Sequence, residues 1–446
     1  MVPVQASTLN LSQFLNARLK THLSLKIESE KLDIRKSQLY SASDLFQTSL
    51  GLSYSKSETQ REYESLNIEG YESSPAYMEA KIQQGFSWGG SFSFNSRKYT
   101  QNSQSSYLDV DTNYNFTLSQ SLWRNALGSK DKNIVEGAQQ NYKMQKIEKQ
   151  YNDLITCTEV INDYLQAFKL QEQLNIYKEK HEGAKQALAQ SEKHYLRRLI
   201  RKIDLLSAQA DIKQSELQYL DQKTEYSLAY NKLKFSKPID KLLEPKFTEM
   251  FDTEPLTTYT ESLSLKQTEI KILSDWAAVK LAREDKKVDI QLQLSMGENQ
   301  GELVNEDGYK DRYLLLSLNM EWLANGKTYD ENLNQALMQH RITVLKQRQN
   351  MKDDQIAFKH LIKKIMDAKN KVSHINQRLT LFTDQVQESE KLLRNGRIEF
   401  EDYLRFRDNF YNERLRWVEQ KTQLWSMKVS LLQYGKGSLK MCGVTL

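Results

Sequence analysis

Proline is nearly missing from this 446-residue chain, and its few positions are informative. The five prolines are Pro3, Pro75, Pro238, Pro245 and Pro255; none falls between Pro75 and Pro238 and none follows Pro255. Glycine is scarce too, at 16. Proline costs about 3 kcal/mol inside a helix and glycine about 1, so their absence permits very long helices. Three clustered prolines mark one linker, 236–258, between two halves of the chain. Only two cysteines occur, Cys157 and Cys442, with no Cys-x-x-Cys spacing, and the six histidines are scattered. That argues against a metal site. Whether the two cysteines pair is open from sequence. No apolar run approaches the roughly 20 residues of a membrane-spanning helix. The first residues, Met1 to Ser7, carry no export signal; an exported chain would have lost its leader before this numbering.

Charge of one sign is also missing. Lysine and arginine total 63 against 58 aspartates and glutamates. Lysine and glutamate alternate along the helical stretches as solvated faces, unlike the one-sided basic patch of a nucleic-acid binder. The dense basic cluster, Arg197, Arg198, Arg201 and Lys202, is an exception. No Ser/His/Asp set or phosphate loop is found, so neither an enzyme nor a cofactor is expected. Asp109 and Asp111 resemble paired catalytic carboxylates, but they share one strand face with Asn113 and Asn115. A polar lining is the better reading.

What is present is said twice. A strand ending at Trp123 runs into Asn125, and 79 positions later stands Asp204 in Ile203-Asp204-Leu205-Leu206-Ser207-Ala208. A second strand ends at Trp322 and runs into Asn325, and 77 positions later stands Asp402 in Glu401-Asp402-Tyr403-Leu404. Upstream, Thr21-His22-Leu23-Ser24-Leu25-Lys26 answers Glu261-Ser262-Leu263-Ser264-Leu265-Lys266. Each half reads as helix, strand, loop, strand, long helix, tip and returning helix, and an internal repeat of this kind fixes an architecture. The first repeat is 1–235, with strands at 46–57 and 107–122 and a tip near 198–204. The second is 259–446, with strands at 288–297 and 313–322 and a tip near 396–402.

The strands alternate with period two. Leu50, Leu52 and Tyr54 oppose Ser49, Gly51 and Ser53; Phe116 and Leu118 oppose Asp109, Asp111, Asn113 and Asn115. Ile290, Leu292 and Leu294 oppose Gln291 and Gln293, and Leu314 to Trp322 alternates with Leu315 as an exception. A soluble sheet on an apolar core would show this pattern, yet few spare apolar segments exist to cover it. A transmembrane barrel, apolar toward lipid and polar toward water, fits better. Trp123, Trp322 and Tyr313 suit its aromatic girdles. An inserted hairpin, 80–98, has its own alternation, with Phe86 and Trp88 in one strand and Gly89-Gly90 as a two-residue turn. The turn is expected at the end of the sheet that joins the helices, and the hairpin within the barrel as two further strands.

Heptad spacing runs through Ile147, Tyr151, Leu154, Thr158, Ile161, Leu165 and Phe168, again from Phe358 to Val386, and again from Tyr411 to Leu432. It predicts left-handed knobs-into-holes packing. The down-going segments are expected at about 115 Å and the returning helices at about 45 Å each, broken at mid-height.

This pattern resembles the TolC-like outer-membrane efflux channels over nearly the whole chain. The residues that carry the likeness are Leu118-Ser119-Gln120-Ser121-Leu122, Tyr164-Leu165-Gln166-Ala167, and the duplicated tips Tyr195…Leu199…Asp204-Leu205-Leu206-Ser207-Ala208 and Gly396…Asp402-Tyr403-Leu404. The resemblance implies an α+β membrane protein: a homotrimer whose outer-membrane β-barrel is continued by a periplasmic coiled-coil barrel of helices. It implies a passive conduit in the outer membrane of a Gram-negative bacterium, with a periplasmic adaptor and an inner-membrane transporter as partners, serving efflux or type I secretion. It implies gate and docking residues at the tips: Arg197, Arg198, Leu199, Asp204, Gly396, Glu399, Glu401, Asp402 and Arg405. Asp109, Asp111, Asn113, Asn115, Gln291 and Gln293 would line the barrel. The family's barrel usually has 12 strands; with the inserted hairpin in the barrel and its turn facing the periplasm, the implied trimer would have 18. Two departures stand out. Arg198 replaces the glycine of the first tip, where a left-handed turn would cost about 1–2 kcal/mol. Arg405 replaces the second acid of the family's acidic ring, and an Asp402–Arg405 ion pair is the alternative to a selectivity gate. A soluble or surface-attached coiled-coil protein remains the competing reading of the chain.

Overall fold

The computed structural model describes residues 8–63, 68–100, 108–198, 200–233, 241–245, 259, 261–303, 306–322, 327–395, 397–434 and 442. The chain divides into two compact units: Met1–Ser29 with Ile147–Lys266 and Gln349–Leu446, and Glu30–Lys146 with Gln267–Arg348. Each therefore draws on both halves of the sequence.

The second unit is built on one six-stranded antiparallel sheet. Its strands are β2 (Thr48–Tyr63), β3 (Ile68–Gly85), β4 (Gly90–Thr100), β5 (Leu108–Ser121), β7 (Asp289–Leu303) and β8 (Glu306–Glu321), hydrogen-bonded in that order. The inserted hairpin is thus part of the sheet, with β3 against β2 and β4 against β5. The strands run further than the alternation indicated. β7 and β8 continue past 297 and before 313 because Glu298 pairs with Arg312 and Asn299 with Asp311 across the ladder. Polar residues there extend the strands without lengthening the apolar pattern. The hairpin likewise occupies Ile68–Gly85 and Gly90–Thr100, not 80–98 alone.

Its turn also differs from the expected Gly89-Gly90. The chain reverses over Phe86 to Gly89, with Phe86 N–H donating to Gly90 O at 2.8 Å and Gly89 N–H to Phe86 O at 3.0 Å. Phe86 and Trp88 are turn residues whose rings stack at 5.0 Å. Gly89 is needed twice over: its φ is +82°, and a Cβ there would lie 2.1 Å from the Asn125 carbonyl oxygen. The turn therefore packs where the sheet meets the first long helix, as expected for the helix-bearing end.

On the helix side of the register shifts at Ser55/Ser57, Val110/Thr112 and Gly301/Leu303, side-chain parity is uniform across the ladders. Leu50, Ile82, Phe94, Phe116, Met296 and Leu314 form one row on the apolar face. That face is left open: Leu52 is 90% exposed, and Leu314, Leu316, Leu318, Met320 and Trp322 are all exposed. Tyr313 is a correction. It sits on the opposite, polar face, opposite Gly297, where its ring occupies the space a Cβ would take at 2.3 Å. Leu315 shares that polar face through its pairing with Ser295.

The long helices are α3 (Ser129–Leu196) and α6 (Lys327–Arg394), 68 residues each. At 1.5 Å per residue each is about 100 Å long, shorter than the 115 Å expected. The returning helices are α4 (Lys202–Lys232) and α7 (Phe400–Val429), and α5 (Leu263–Asp285) leads into β7. The N-terminal helix is in two pieces, α1 (Leu11–Thr21) and α2 (Leu23–Ser43). His22 interrupts them with an extended ψ of 120°. α1 opens with a capping box, Asn10 accepting from Gln13 N–H at 2.8 Å.

The first unit buries the heptad positions. Leu154, Ile161, Leu165 and Phe168 of α3 pack with Phe14 and Leu15 of α1, Phe358 and Ile365 of α6, and Trp425 and Val429 of α7. A short parallel pair, β1 (Thr8–Leu9) with β6 (Lys241–Leu242), sits on this core. Tyr164 O–H is within hydrogen-bond distance of Leu9 O (3.0 Å) and Leu243 O (2.7 Å), and Gln171 bonds both N–H and C=O of Leu242. Most of the 236–258 linker lies outside the described residues. The question left open by sequence is answered here: Cys157 and Cys442 form a disulfide.

Candidate functional site

The first tip, in the first unit, closes α3 with a left-handed residue. Arg198 has φ +60°, and its N–H donates to Tyr195 O at 2.9 Å. This is the 5→2 bond of a Schellman ending, which usually has glycine at that place. The turn thus takes a glycine-type helix ending despite the arginine. At the second tip Arg397 N–H donates to Leu392 O at 2.9 Å, the 6→1 bond of the same motif. Gly396 itself and Leu199 lie outside the described residues.

Both acids that follow the turns are paired locally. Asp204 accepts from Arg201 N–H at 2.9 Å and from its guanidinium at 3.1 Å. Those bonds hold the Asp204 carboxyl below its usual range. Asp402 accepts from Arg405 at 2.8 Å. The local ion pair therefore exists where a second acid would have stood. Arg198, Arg201 and Asp204 of the first tip and Glu399 and Glu401 of the second line one cleft of about 730 Å³, floored by Ile200, Leu393, Ile398, Phe400 and Leu404. Arg197, Asp402 and Arg405 are outside its lining. Among the described residues Arg197, Arg198 and Lys202 make no ion pair or side-chain hydrogen bond.

One group of residues was missed by sequence. Away from the tips, α7 is fastened to α3 by four contacts in register. Lys180 Nζ lies 3.6 Å from Asp408 Oδ1. Arg407 Nη1 donates to Gly183 O at 2.9 Å, and Tyr411 O–H donates to Glu179 O at 3.3 Å. Arg414 pairs with the Glu179 carboxylate. Gly183 leaves room: a Cβ there would stand 3.4 Å from both Arg407 and Tyr411. Asp211 on α4 joins the group, its carboxyl pushed up by burial and then by Asp408, against Arg407 and Lys180. On α7 Glu413, buried, is held by Arg378 of α6 at 3.2 Å and by Arg416 at 3.6 Å. Tyr411 was visible as a heptad position, but no spacing pairs residue 183 with 407.

In the second unit, Asn113, Asn115, Gln291 and Gln293 of the expected lining residues fall on one face of the sheet. Asn113 hydrogen-bonds Asn299, and Thr117 meets Ser295 at 3.3 Å. Gln293 donates to Ser295 at 3.2 Å, Gln291 to Asp289 at 3.5 Å, and Asn115 pairs with Asn95 in the ladder. Asp109 and Asp111 are strand residues whose side chains lie outside the described ones. The inserted hairpin adds Arg97 to this face, 3.4 Å from Glu79 and 4.4 Å over the Tyr77 ring. At the helix end Arg124 reaches Asp289 (3.4 Å) and the Asp285 carbonyl (3.2 Å), while Asn125 caps α3.

No grouping of His, Cys, Asp or Glu that could hold a metal occurs among the described residues. Residues 86–236 match the outer membrane efflux protein family. No curated protein matches the sequence. Among solved structures the chain is similar to VceC, an outer membrane protein of Vibrio cholerae (TM-score 0.70, 12% identity, 96% of each chain). It is similar to the CmeC outer membrane channel of Campylobacter jejuni (TM-score 0.68, 14% identity, 95% of this chain and 85% of that one). CusC gives 0.68 and 14%, covering 97% of this chain and 91% of that one. At such identities the structures speak for the fold. The first helical hairpin thus carries a match to the outer membrane efflux protein family, and over nearly the whole chain the fold is that of solved outer membrane channels.

Proposed function

We propose that this chain is the outer-membrane conduit of a tripartite efflux or type I secretion assembly, joining an adaptor and an inner-membrane transporter to the exterior. The observation that carries the reading is the course of the open apolar face. On β2 its centre is Leu52, and on β8 it is Leu318. Followed through hydrogen-bonded partners, Leu52 leads by Ala80, Ser96, Tyr114 and Glu298 to Arg312, six residues from Leu318. The band therefore climbs across the sheet by about 1.2 residues per strand. With about 3.3 Å per residue and 4.8 Å between strands, that is a strand tilt of about 40° to a level band. Transmembrane barrels tilt their strands by about 35–45°. A soluble sheet on a packed core has no reason to keep its apolar band level on this slant.

Backbone groups at an open sheet edge are not tolerated in lipid, so the strands close with further copies, three in this reading. The tip residues Arg197, Arg198, Leu199, Asp204, Gly396, Glu399, Glu401, Asp402 and Arg405 form the periplasmic gate and docking surface. Asp109, Asp111, Asn113, Asn115, Gln291 and Gln293 face the lumen. The test is the purified protein in planar bilayers. Detergent-dependent trimers that conduct, and whose conductance or cation preference changes on Glu401→Ala with Asp402→Ala, are expected. A monodisperse protein that stays dispersed without detergent and conducts nothing would instead favour a soluble coiled-coil role.

A further inference from the structure

The two ends of the sheet are the unfinished part of this fold. β2 pairs only with β3 and β8 only with β7 among the described residues. β2 runs away from the helix end and β8 runs toward it, so the two edges are antiparallel to each other, the relation every neighbouring pair in this sheet already has. A second copy extends the ladder at either edge without breaking the pattern. The side-chain parity allows it as well. Even-numbered residues of both edges face the apolar side and odd-numbered ones the polar side, so even must meet even.

The slant of the apolar band then limits the register. One further step of about 1.2 residues from β8 places the band centre of the next strand about one residue nearer the helix end. Parity admits only even displacements. Two registers satisfy both conditions: Leu318 opposite Leu52, or Leu318 opposite Tyr54. We propose that β8 of one copy pairs with β2 of the next in one of these two registers, and that three copies of the six-stranded sheet close as a single barrel of eighteen strands. This rests on the reading of the chain as a trimeric channel, and adds to it which edges join, where, and how many strands result. The lumen follows from the count. At a tilt of about 40°, eighteen strands enclose a backbone diameter of about 36 Å, against about 24 Å for twelve. The barrel is then wide, and the passage of cargo is restricted elsewhere.

Cysteine pairs on the polar face test the register in the full-length protein carrying Cys157→Ser and Cys442→Ser. Asn319→Cys with Ser53→Cys reads the Leu318–Tyr54 register, and Asn319→Cys with Gly51→Cys reads the Leu318–Leu52 register. Both β2 positions accept the change; a Cβ at Gly51 meets Lys81 Cβ at an ordinary 3.8 Å. Leu315→Cys with Ser53→Cys lies outside both registers and is the control. Expected on mild oxidation is efficient linkage in one of the two test pairs, a non-reducing ladder that stops at three chains, and no linkage in the control. Detergent-stable conducting trimers that link in neither pair, or link in the control, overturn the proposed closure while leaving the channel reading intact. A ladder that stops at two chains or runs past three overturns the three-copy closure. A protein that forms no oligomer at all sinks both.

Discussion

Arg407 of α7 donates its Nη1 to the carbonyl of Gly183 on α3 at 2.9 Å, across 224 positions of sequence. Arg407 is 8% exposed and lies in a group with Lys180, Asp408, Asp211, Glu179 and Tyr411. It fastens the returning helix of the second hairpin to the descending helix of the first. Any motion of one tip against the other must strain this contact.

Arg407→Ala should therefore loosen the hairpins. Loss of a charged hydrogen bond is worth about 1.5–3 kcal/mol. The expected result is a lower thermal midpoint in detergent together with larger or more frequent channel openings in bilayers. A midpoint that falls with openings unchanged would assign Arg407 to stability alone.

Acidity should act on the same cluster with a defined sign. Asp211 has a raised carboxyl pKa in the folded chain, chiefly through burial. Its charged form therefore opposes folding above the folded value, and protonation relieves this progressively as pH falls toward the ordinary carboxylate value near 3.8. Asp211→Asn should stabilise the protein at pH 7, and the gain should shrink toward pH 4. A gain that grows on acidification would contradict the assignment. Asp204 has the opposite sign: its lowered value gives stability that is present above pH 3.8 and lost as pH falls through the folded value.

Arg198→Gly should stabilise the first tip. A non-glycine residue in the left-handed region costs about 1–2 kcal/mol, and Arg198 stands at φ +60°. Part of the gain is offset by glycine's larger freedom in the unfolded chain, leaving about 1 kcal/mol or less. Urea denaturation of the solubilised protein measures it. Destabilisation instead would mean that the Arg198 side chain holds the cleft.

The disulfide should matter beyond its neighbourhood. It joins residues 285 apart and anchors the chain's end to α3. Removing a cross-link of this kind costs about 2–4 kcal/mol. Cys157→Ser with Cys442→Ser should lower the temperature at which the protein unfolds in detergent, and the parent should run faster on non-reducing gels.

The hairpin turn should be inaccessible from outside. Ser87 is exposed and lies in the turn beside the loop that starts α3. A cysteine there should react with an impermeant label in broken cells but not in intact ones. Labelling of intact cells would put the turn on the outer surface. Gly89 is unsuitable for this purpose, since a Cβ would meet Asn125 O.

The sequence by itself determined what depends on local period and local cost. The absence of proline from 76 to 237 allows a 68-residue helix, the heptads mark its buried stripe, and the alternation in β2, β5, β7 and β8 separates an apolar from a polar face, with Tyr313 and Leu315 as large side chains on the polar one. The repeat placed both tips, because Arg198 and Gly396 stand the same distance before Asp204 and Asp402. Only the tertiary structure decided what depends on distant partners. Polar residues extended β7 and β8 because the opposite strand offered free backbone groups, and no side-chain pattern reports that. The six-strand order, the Arg407–Gly183 bond and the Cys157–Cys442 link all join residues far apart in the chain. Such contacts form only once the long helices and strands have brought them together, and neither period nor propensity encodes which of the many equivalent positions will meet.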